Sequence, residues 1–490
     1  MLYGEFYMKY RFSSKVKGIA RVSFANLLSL AVSLITSFLL PYFISVEDYG
    51  YWQLFILYAG YVGFFAFGFN DGVHLNYATY SYNEKTASKF GAFKNLLLGM
   101  SAVETLLLIA FLTIWFGPAY GKYYTFLFAI LNIIPVLVNG LFTYMNQATM
   151  RFKQYAWGNM IDKVVFAVVM VIMLLIGCKS YIYYIAAYTA SRYLVIGYHF
   201  ISSRLVFTEK PDKIKDLKTD IIHNFTSGFA LMIATLLNSS IIVGSRLLIE
   251  NKYGIAEFGA YSFANHTLVI ASQFISAIAS VFYPIMKRCK DDELERAYKA
   301  FDKASTLLAA ILLVSYYLAA IVINLLYKQY SVILGYFTFV YPLFIFQCKS
   351  NLLIINTYKV KGQPVKLVIR NAMGIAIHLV FVYAAYWTFG TVSAIAIAVL
   401  LSYCIWYYLS QTMICHELKW KLRASMFWDL AITAVFVLVN TIIDNLYRGG
   451  FYIKMIMECG VFMLAVLLIG LMARKAIKET LHETAYFLKD

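Results

Sequence analysis

The stretch from Ile19 to Gly50, IARVSFANLLSLAVSLITSFLLPYFISVEDYG, decides the fold. From Ile19 to Ile44 it carries one charged side chain, Arg21, and no turn signal before Pro41. A helix needs roughly 20 apolar residues to cross about 30 Å of hydrocarbon, and this run is long enough. It is too long for the apolar segment of a signal peptide and lacks a small-residue cleavage site, so it reads as a retained first span. The polar, basic and aromatic residues 1–21 precede it.

The same reading extends to the rest of the chain. Fourteen segments have the length and polarity of a membrane helix: 19–44, 52–77, 91–116, 123–145, 157–177, 181–203, 222–247, 258–285, 304–326, 333–357, 366–389, 391–414, 427–446 and 451–472. The runs are unbroken rather than alternating, which selects helices over the roughly 10-residue strands of a barrel. The least defined divide lies around Gly390, where two spans are nearly continuous. Composition agrees. Of 490 residues 61% are hydrophobic and 14% charged, with mean hydropathy +0.69. A soluble domain carries about 25% charged residues because its surface faces water. The expected fold class is therefore an all-α polytopic membrane protein of about 14 transmembrane helices.

A net charge of +17 suggests nucleic acid until the charges are placed. With the N-terminus in the cytoplasm, thirty-two of the 42 Lys and Arg residues fall in cytoplasmic segments. Seven fall outside: Lys122, Lys179, Arg246, Lys252, Lys328, Arg448 and Lys454. Lys163, Arg192 and Lys349 lie within spans. That bias over short loops is the positive-inside signal, so the charge sets orientation and no nucleic-acid partner is expected. Both termini are expected in the cytoplasm of an inner-membrane protein. Basic loops such as 204–218 favour anionic membrane lipids. The six cysteines are far apart with no metal-ligand or redox spacing, so they read as small buried hydrophobes and no metal or cofactor is expected.

An internal repeat gives the spans an order. Shifted by 209 residues, Phe24-Ala25-Asn26-Leu27-Leu28 falls on Ile233-Ala234-Thr235-Leu236-Leu237, Asp48-Tyr49-Gly50 on Glu257-Phe258-Gly259, and Lys94 on Lys303. Pro135 and Pro342 match at a shift of 207. Six spans separate the copies, so both have one orientation, a parallel repeat about an axis along the membrane normal. The expected organisation is an N-lobe at 1–203, a cytoplasmic linker at 204–221, a C-lobe at 222–414, and two appended spans with a tail at 415–490. The two six-helix lobes would surround a central cleft.

The segment from Leu40 to Trp52, LPYFISVEDYGYW, resembles the end of the first helix in polysaccharide flippases of the multidrug/oligosaccharidyl-lipid/polysaccharide (MOP) exporter superfamily. Gly68-Phe69-Asn70-Asp71-Gly72 is similar to that family's segment at the inner end of helix two. Ser245-Arg246-Leu247-Leu248-Ile249, then Glu257-Phe258-Gly259-Ala260-Tyr261-Ser262-Phe263-Ala264 and Tyr283-Pro284, resemble its seventh and eighth helices. The likeness covers roughly residues 17–415. Ser245 stands where many members carry an acidic residue. The resemblance implies a flippase for a lipid-linked oligosaccharide, such as a repeat unit on a polyprenyl diphosphate of the O-antigen type. It also implies a cavity lined by spans 1, 2, 7 and 8. Polysaccharide polymerases or glycosyltransferases would then be partners.

Ionisable groups inside hydrocarbon cost at least about 2.5–3.5 kcal/mol each on insertion scales, so they mark candidate sites. Arg192 lies near the middle of span six, as a cation for a sugar diphosphate or as the partner of a carboxylate, Glu104 or Asp162. The second reading is preferred because all three fall in one lobe. Glu104 and Asp162 are also the candidates for ion coupling. Lys349 lies well inside span ten, while Lys163 is placed to snorkel. His266, beside Asn265, lies nine residues into span eight, about 13 Å deep. His378 is a weaker candidate. Asn26, Asn70, Asp71 and His74 cluster on spans one and two. Arg21 and Arg246 mark the inner and outer ends of the expected cleft, where an anionic headgroup would pass from one to the other.

No nucleophile elbow, HExxH, phosphate-binding loop or carboxylate pair in a large loop occurs in the chain. Covalent chemistry and direct drive by ATP are therefore not expected. Two other functions remain open: an ion-coupled exporter of small cationic molecules, which would favour buried carboxylates, and a membrane polymerase, which would need an outward loop much longer than the ten or so residues found here.

Overall fold

A computed structural model describes residues 28–77, 80–421 and 427–489. It is helical throughout, with no strand among the described residues. Ten helices are long and apolar enough to cross a membrane, eleven if the bent pair Val46–Ala66 and Phe69–Asn76 is one span. Leu28–Phe43 is a shorter apolar helix, and the first expected span begins outside the described residues. Tyr181–Ser202 and Ile255–Arg288 are also helices. Both hold half-buried polar residues along their length, Arg192 in one and Asn265 and His266 in the other. Leu106, Leu107, Ile114 and Leu175 project from their helices fully or largely exposed, as side chains meant for lipid do.

Contacts divide the chain into two units, Met1–Leu236 and Leu237–Asp490. Helix boundaries carry the repeat further than the sequence matches do. The helix from Val46 is echoed 209 residues on by the helix from Ile255, and the span Glu84–Trp115 by Glu293–Leu326. Pro135 and Pro342 both sit at the start of a helical segment that follows a local break, at Asn132 in one copy and Tyr341 in the other. Proline tolerates the first turn of a helix because its missing N–H has no partner there anyway.

In the first unit, Ser45 caps the helix Val46–Tyr61 by accepting the Asp48 N–H at 3.0 Å. Asp48 Oδ1 accepts the Tyr181 N–H at 3.0 Å, at the start of Tyr181–Ser202. One carboxylate thus serves the N-terminal turns of two helices, where exposed N–H groups favour negative charge. Below, the chain bends by 60° at Phe67 and Gly68, both in the left-handed region (φ +47° and +81°). Gly68 and Gly72 then form a small-xxx-small step, and they meet Gly228 of the helix Lys218–Ser240 backbone to backbone. A Cβ on Gly72 would lie 1.9 Å from Asn224 O, and one on Gly228 1.9 Å from Gly68 O. Small residues let membrane helices approach this closely, and Asn76 adds hydrogen bonds to Asn224 Oδ1 (2.8 Å) and Ser227 Oγ (3.1 Å). Phe69, Phe90, Phe93, Leu137, Leu141 and Phe142 fill the core around this crossing.

In the second unit the doubtful divide resolves at Gly390. It ends Pro364–Phe389 in the left-handed conformation (φ +61°), and Thr391 Oγ1 caps Val392–Glu417 through Ala394 N–H at 3.2 Å. The expected ninth span began at residue 304, but helix begins at Asp291. The charged stretch before it is an amphipathic extension: Leu294, Ala297, Tyr298, Phe301 and Asp302 form one buried stripe. The hairpin Trp428–Leu446 and Phe451–Met472 joins this unit through Phe436, whose ring lies 5.3 Å from Phe462 and 5.1 Å from Tyr316.

Candidate functional site

Arg21 and Asn26 lie outside the described residues. The other candidates fall in two groups, one per unit. On Phe69–Asn76, Asn70 turns into the protein, donating from Nδ2 to Leu137 O at 3.0 Å. Asp71 and His74, three residues apart on one helix face, meet Tyr144: its hydroxyl donates to Asp71 Oδ1 at 3.3 Å, and its ring stacks on His74 at 4.9 Å. All three are half-buried or less deeply set than Asn70. This patch offers a carboxylate, an imidazole and an aromatic face, chemistry suited to a hydroxyl-rich ligand.

Arg192 donates to Tyr188 OH at 2.8 Å and Asn132 Oδ1 at 3.3 Å, with its guanidinium 4.6 Å from the Tyr188 ring centroid. Asp162 lies within its electrostatic reach without a hydrogen bond between them, and Asp162 Oδ1 has no partner. Glu104 Oε2 is likewise buried without a partner. Among the described residues, then, Arg192 is held by an amide and a phenol, with Asp162 as its charge neighbour. At the rim, Arg151 lies 3.8 Å from the Tyr82 ring centroid and donates to Ser203 Oγ at 3.0 Å. Burial pushes the Tyr82 phenol above its ordinary value, and the nearby Arg151 opposes that shift. A depression of about 380 Å³ nearby is lined by Tyr80, Asn83, Lys85 and Lys89, and Lys89 is paired with Asp220 at 2.8 Å.

In the second unit Arg246 is half-buried on Val243–Tyr253, donating to Ser262 Oγ at 2.9 Å and lying 5.2 Å from the Phe258 ring centroid. Ser245 turns back to Ile242 O at 2.8 Å, so its hydroxyl serves its own helix. Asn265 donates to Tyr261 O at 2.8 Å, one turn earlier, and His266 is half-buried beside it. His378 Nδ1 lies 3.0 Å from Ser402 Oγ, between neighbouring helices. Lys349 is fully buried. It pairs with Asp302 Oδ1 at 2.6 Å and with Asp429, and it donates to Thr306 Oγ1 at 2.8 Å. Sequence reading singled out the lysine and missed both aspartates. No group of three metal-binding side chains occurs among the described residues.

Residues 16–290 match a sequence family described as polysaccharide biosynthesis protein. The chain belongs to that family. No curated protein matches it significantly in sequence. Among solved structures, the lipid II flippase MurJ in an inward closed conformation superposes with a TM-score of 0.68 at 11% identity, covering 93% of this chain and 99% of MurJ. An inward-facing multidrug resistance MATE transporter of the MOP superfamily gives 0.62 at 13% identity, covering 80% and 98%. A MOP superfamily transporter from Pyrococcus furiosus gives 0.55 at 14%, covering 83% and 97%. These likenesses place the chain in the MOP fold, an all-α membrane architecture. The three neighbours are flippases or transporters, and none is an enzyme.

Proposed function

We propose that this family member flips a lipid-linked oligosaccharide, a repeat unit on a polyprenyl diphosphate, from the cytoplasmic to the outer leaflet during surface polysaccharide synthesis. One observation carries the reading. The MATE fold is matched almost whole yet accounts for 80% of this chain, whereas the lipid II flippase is matched almost whole and accounts for 93%. The length this chain carries beyond a drug exporter is thus largely length that a lipid flippase also carries. The family description points the same way.

Transport would proceed by alternating access, the two repeated units supplying the two halves of the movement. In the second unit Arg246 would meet the diphosphate and Asn265 and His266 the sugar hydroxyls; in the first unit Asp71, His74 and Tyr144 offer a separate set of contacts for sugar hydroxyls. The polyprenyl tail stays in lipid, so the protein need only shelter the polar headgroup, whose bare desolvation is the main barrier. Two negative charges leaving a negative cytoplasm gain about 4.6 kcal/mol per 100 mV if both cross the full field. Polymerases and glycosyltransferases of the same synthesis would act on either side of this step.

The test is exposure of labelled lipid-linked sugar in the outer leaflet of proteoliposomes, with and without Na⁺, proton and potential gradients. The reading expects exposure that depends on the protein. If sugar stays inside under every gradient while small organic cations are moved, the chain is an exporter and the proposal fails.

A further inference from the structure

The two copies of the repeat agree in helix order but differ inside one core. Where the second copy has Asp302, the first has buried Phe93. Where the second has Lys349, the shift that overlays the two prolines gives buried Phe142. Two phenylalanines fill this part of the fold in the first unit, so packing alone does not call for ions in the second. The third member, Asp429, comes from Trp428–Leu446, a helix that follows both copies.

All three groups are enclosed, with Lys349 0% and Asp302 and Asp429 each 2% exposed. An ammonium has three N–H donors, and those of Lys349 are taken by Asp302, Asp429 and Thr306. Nothing is left for Asp429 Oδ1, which is buried and has no hydrogen-bond partner. The other titratable groups facing the pair of carboxylates are Tyr298, Tyr407, Tyr408, Cys404 and Cys415. Tyr407 donates to Asp302 Oδ1 at 3.4 Å. Phenols and thiols are uncharged at neutral pH and supply no positive charge. Lys299, which faces Cys415, is paired with Glu295.

Two ionised carboxylates around one ammonium would leave a full negative charge in a low-dielectric core, a cost of several kcal/mol for an unpaired ion. One added proton removes that charge. The hydroxyl left without an acceptor costs less than the bare charge it replaces. A metal ion is the poorer solution, because the ammonium already occupies the space between the carboxylates. Directly after Lys349 the helix widens into a π-helical segment, Ser350–Ile355, a local expansion frequent at functional sites.

We propose that Asp302, Lys349 and Asp429 form a proton-binding site that holds one proton on the aspartate pair. Losing that proton restores the net charge, so proton release and separation of Trp428–Leu446 from the lysine are linked events. The site is independent of which cargo the chain moves.

Infrared difference spectroscopy on the purified full-length protein in lipid reads this directly, through the carbonyl stretch of protonated carboxyl groups and its shift in D₂O. Relative to wild type at neutral pH, Asp429→Asn and Asp302→Asn should each lose one carboxyl equivalent, since one aspartate then balances the lysine. Lys349→Met should gain one, since two aspartates then need two protons. The opposite signs keep the test decisive if one variant does not fold. Unchanged intensity in either Asn variant, or no gain in Lys349→Met, overturns the proposal. So does loss of the wild-type band on adding Na⁺ at constant pH, which would make the ligand a metal cation. No sugar is present in the measurement, so its outcome and that of the transport assay are separate.

Discussion

Replacing Gly72 by alanine places a methyl group 1.9 Å from Asn224 O, against a backbone that has no rotamer to change. Real Cβ contacts do not fall below 3.0 Å, so the helices Phe69–Asn76 and Lys218–Ser240 must part by about 1 Å or more at the crossing. Overpacking of this kind costs about 1–3 kcal/mol. The same displacement strains the two hydrogen bonds from Asn76 Nδ2, each worth roughly 0.6 kcal/mol between membrane helices. A total near 2–4 kcal/mol corresponds to roughly a 30- to 900-fold change in the folded-to-unfolded ratio. Gly228→Ala should behave alike, because its Cβ meets Gly68 O at 1.9 Å. Gly99→Ala is the control: it is helical with nothing within 4 Å, and should be neutral or gain up to about 1 kcal/mol. Thermal unfolding of the purified proteins in one detergent, read by size-exclusion recovery, ranks the three. If Gly72→Ala and Gly228→Ala survive heating as well as Gly99→Ala, the backbone crossing does not hold in the membrane protein.

Three other outcomes are expected. Asp48→Ala removes charged acceptors from the starts of two helices and should cost about 1.5–3 kcal/mol of stability in the same assay, with Asp48→Asn recovering part of it. Arg192→Met leaves Asp162 with Lys163 alone as a cationic neighbour and should lower folded yield, whereas Arg192→Met with Asp162→Asn should restore it; equal yields would show that the two do not act together. Arg246→Glu, alone or with Arg21→Glu, should reduce outer-leaflet sugar exposure by about tenfold or more with expression intact, since a charge-assisted contact to the diphosphate becomes a repulsion; unchanged exposure removes Arg246 from the path.

The long apolar helices were legible because burial in lipid writes itself as long apolar runs, but the expected second span began at residue 52 and missed the Ser45 cap that starts the helix at Val46. The register of the repeat was also readable, and helix starts at Val46 and Ile255 carry it. The bend at Phe67 and Gly68 was not, since a non-glycine residue in the left-handed region leaves no mark in hydropathy. Lys349 stood out as a charge within a span, but its partners did not. Asp302 lies in a charged stretch that reads as a loop, and only the spacing of Leu294, Ala297, Tyr298 and Phe301 betrays a buried helix face there. Asp429 is 80 residues from the lysine, and no local pattern connects them. Asn70 and Asp71 are adjacent in sequence, yet one is spent on Leu137 O and the other faces Tyr144, a division that only the helix's neighbours decide.

The hydrogen bond from Tyr181 N–H to Asp48 joins groups 133 residues apart, and this imposes an order on synthesis. At 5–20 residues per second, roughly 7–27 s pass between emergence of the carboxylate and emergence of its distant donor. For that interval the acidic turn is committed to its own helix alone, without its distant donor. The junction between Val46–Tyr61 and Tyr181–Ser202 therefore cannot close until residues 133 positions further along the chain have been made.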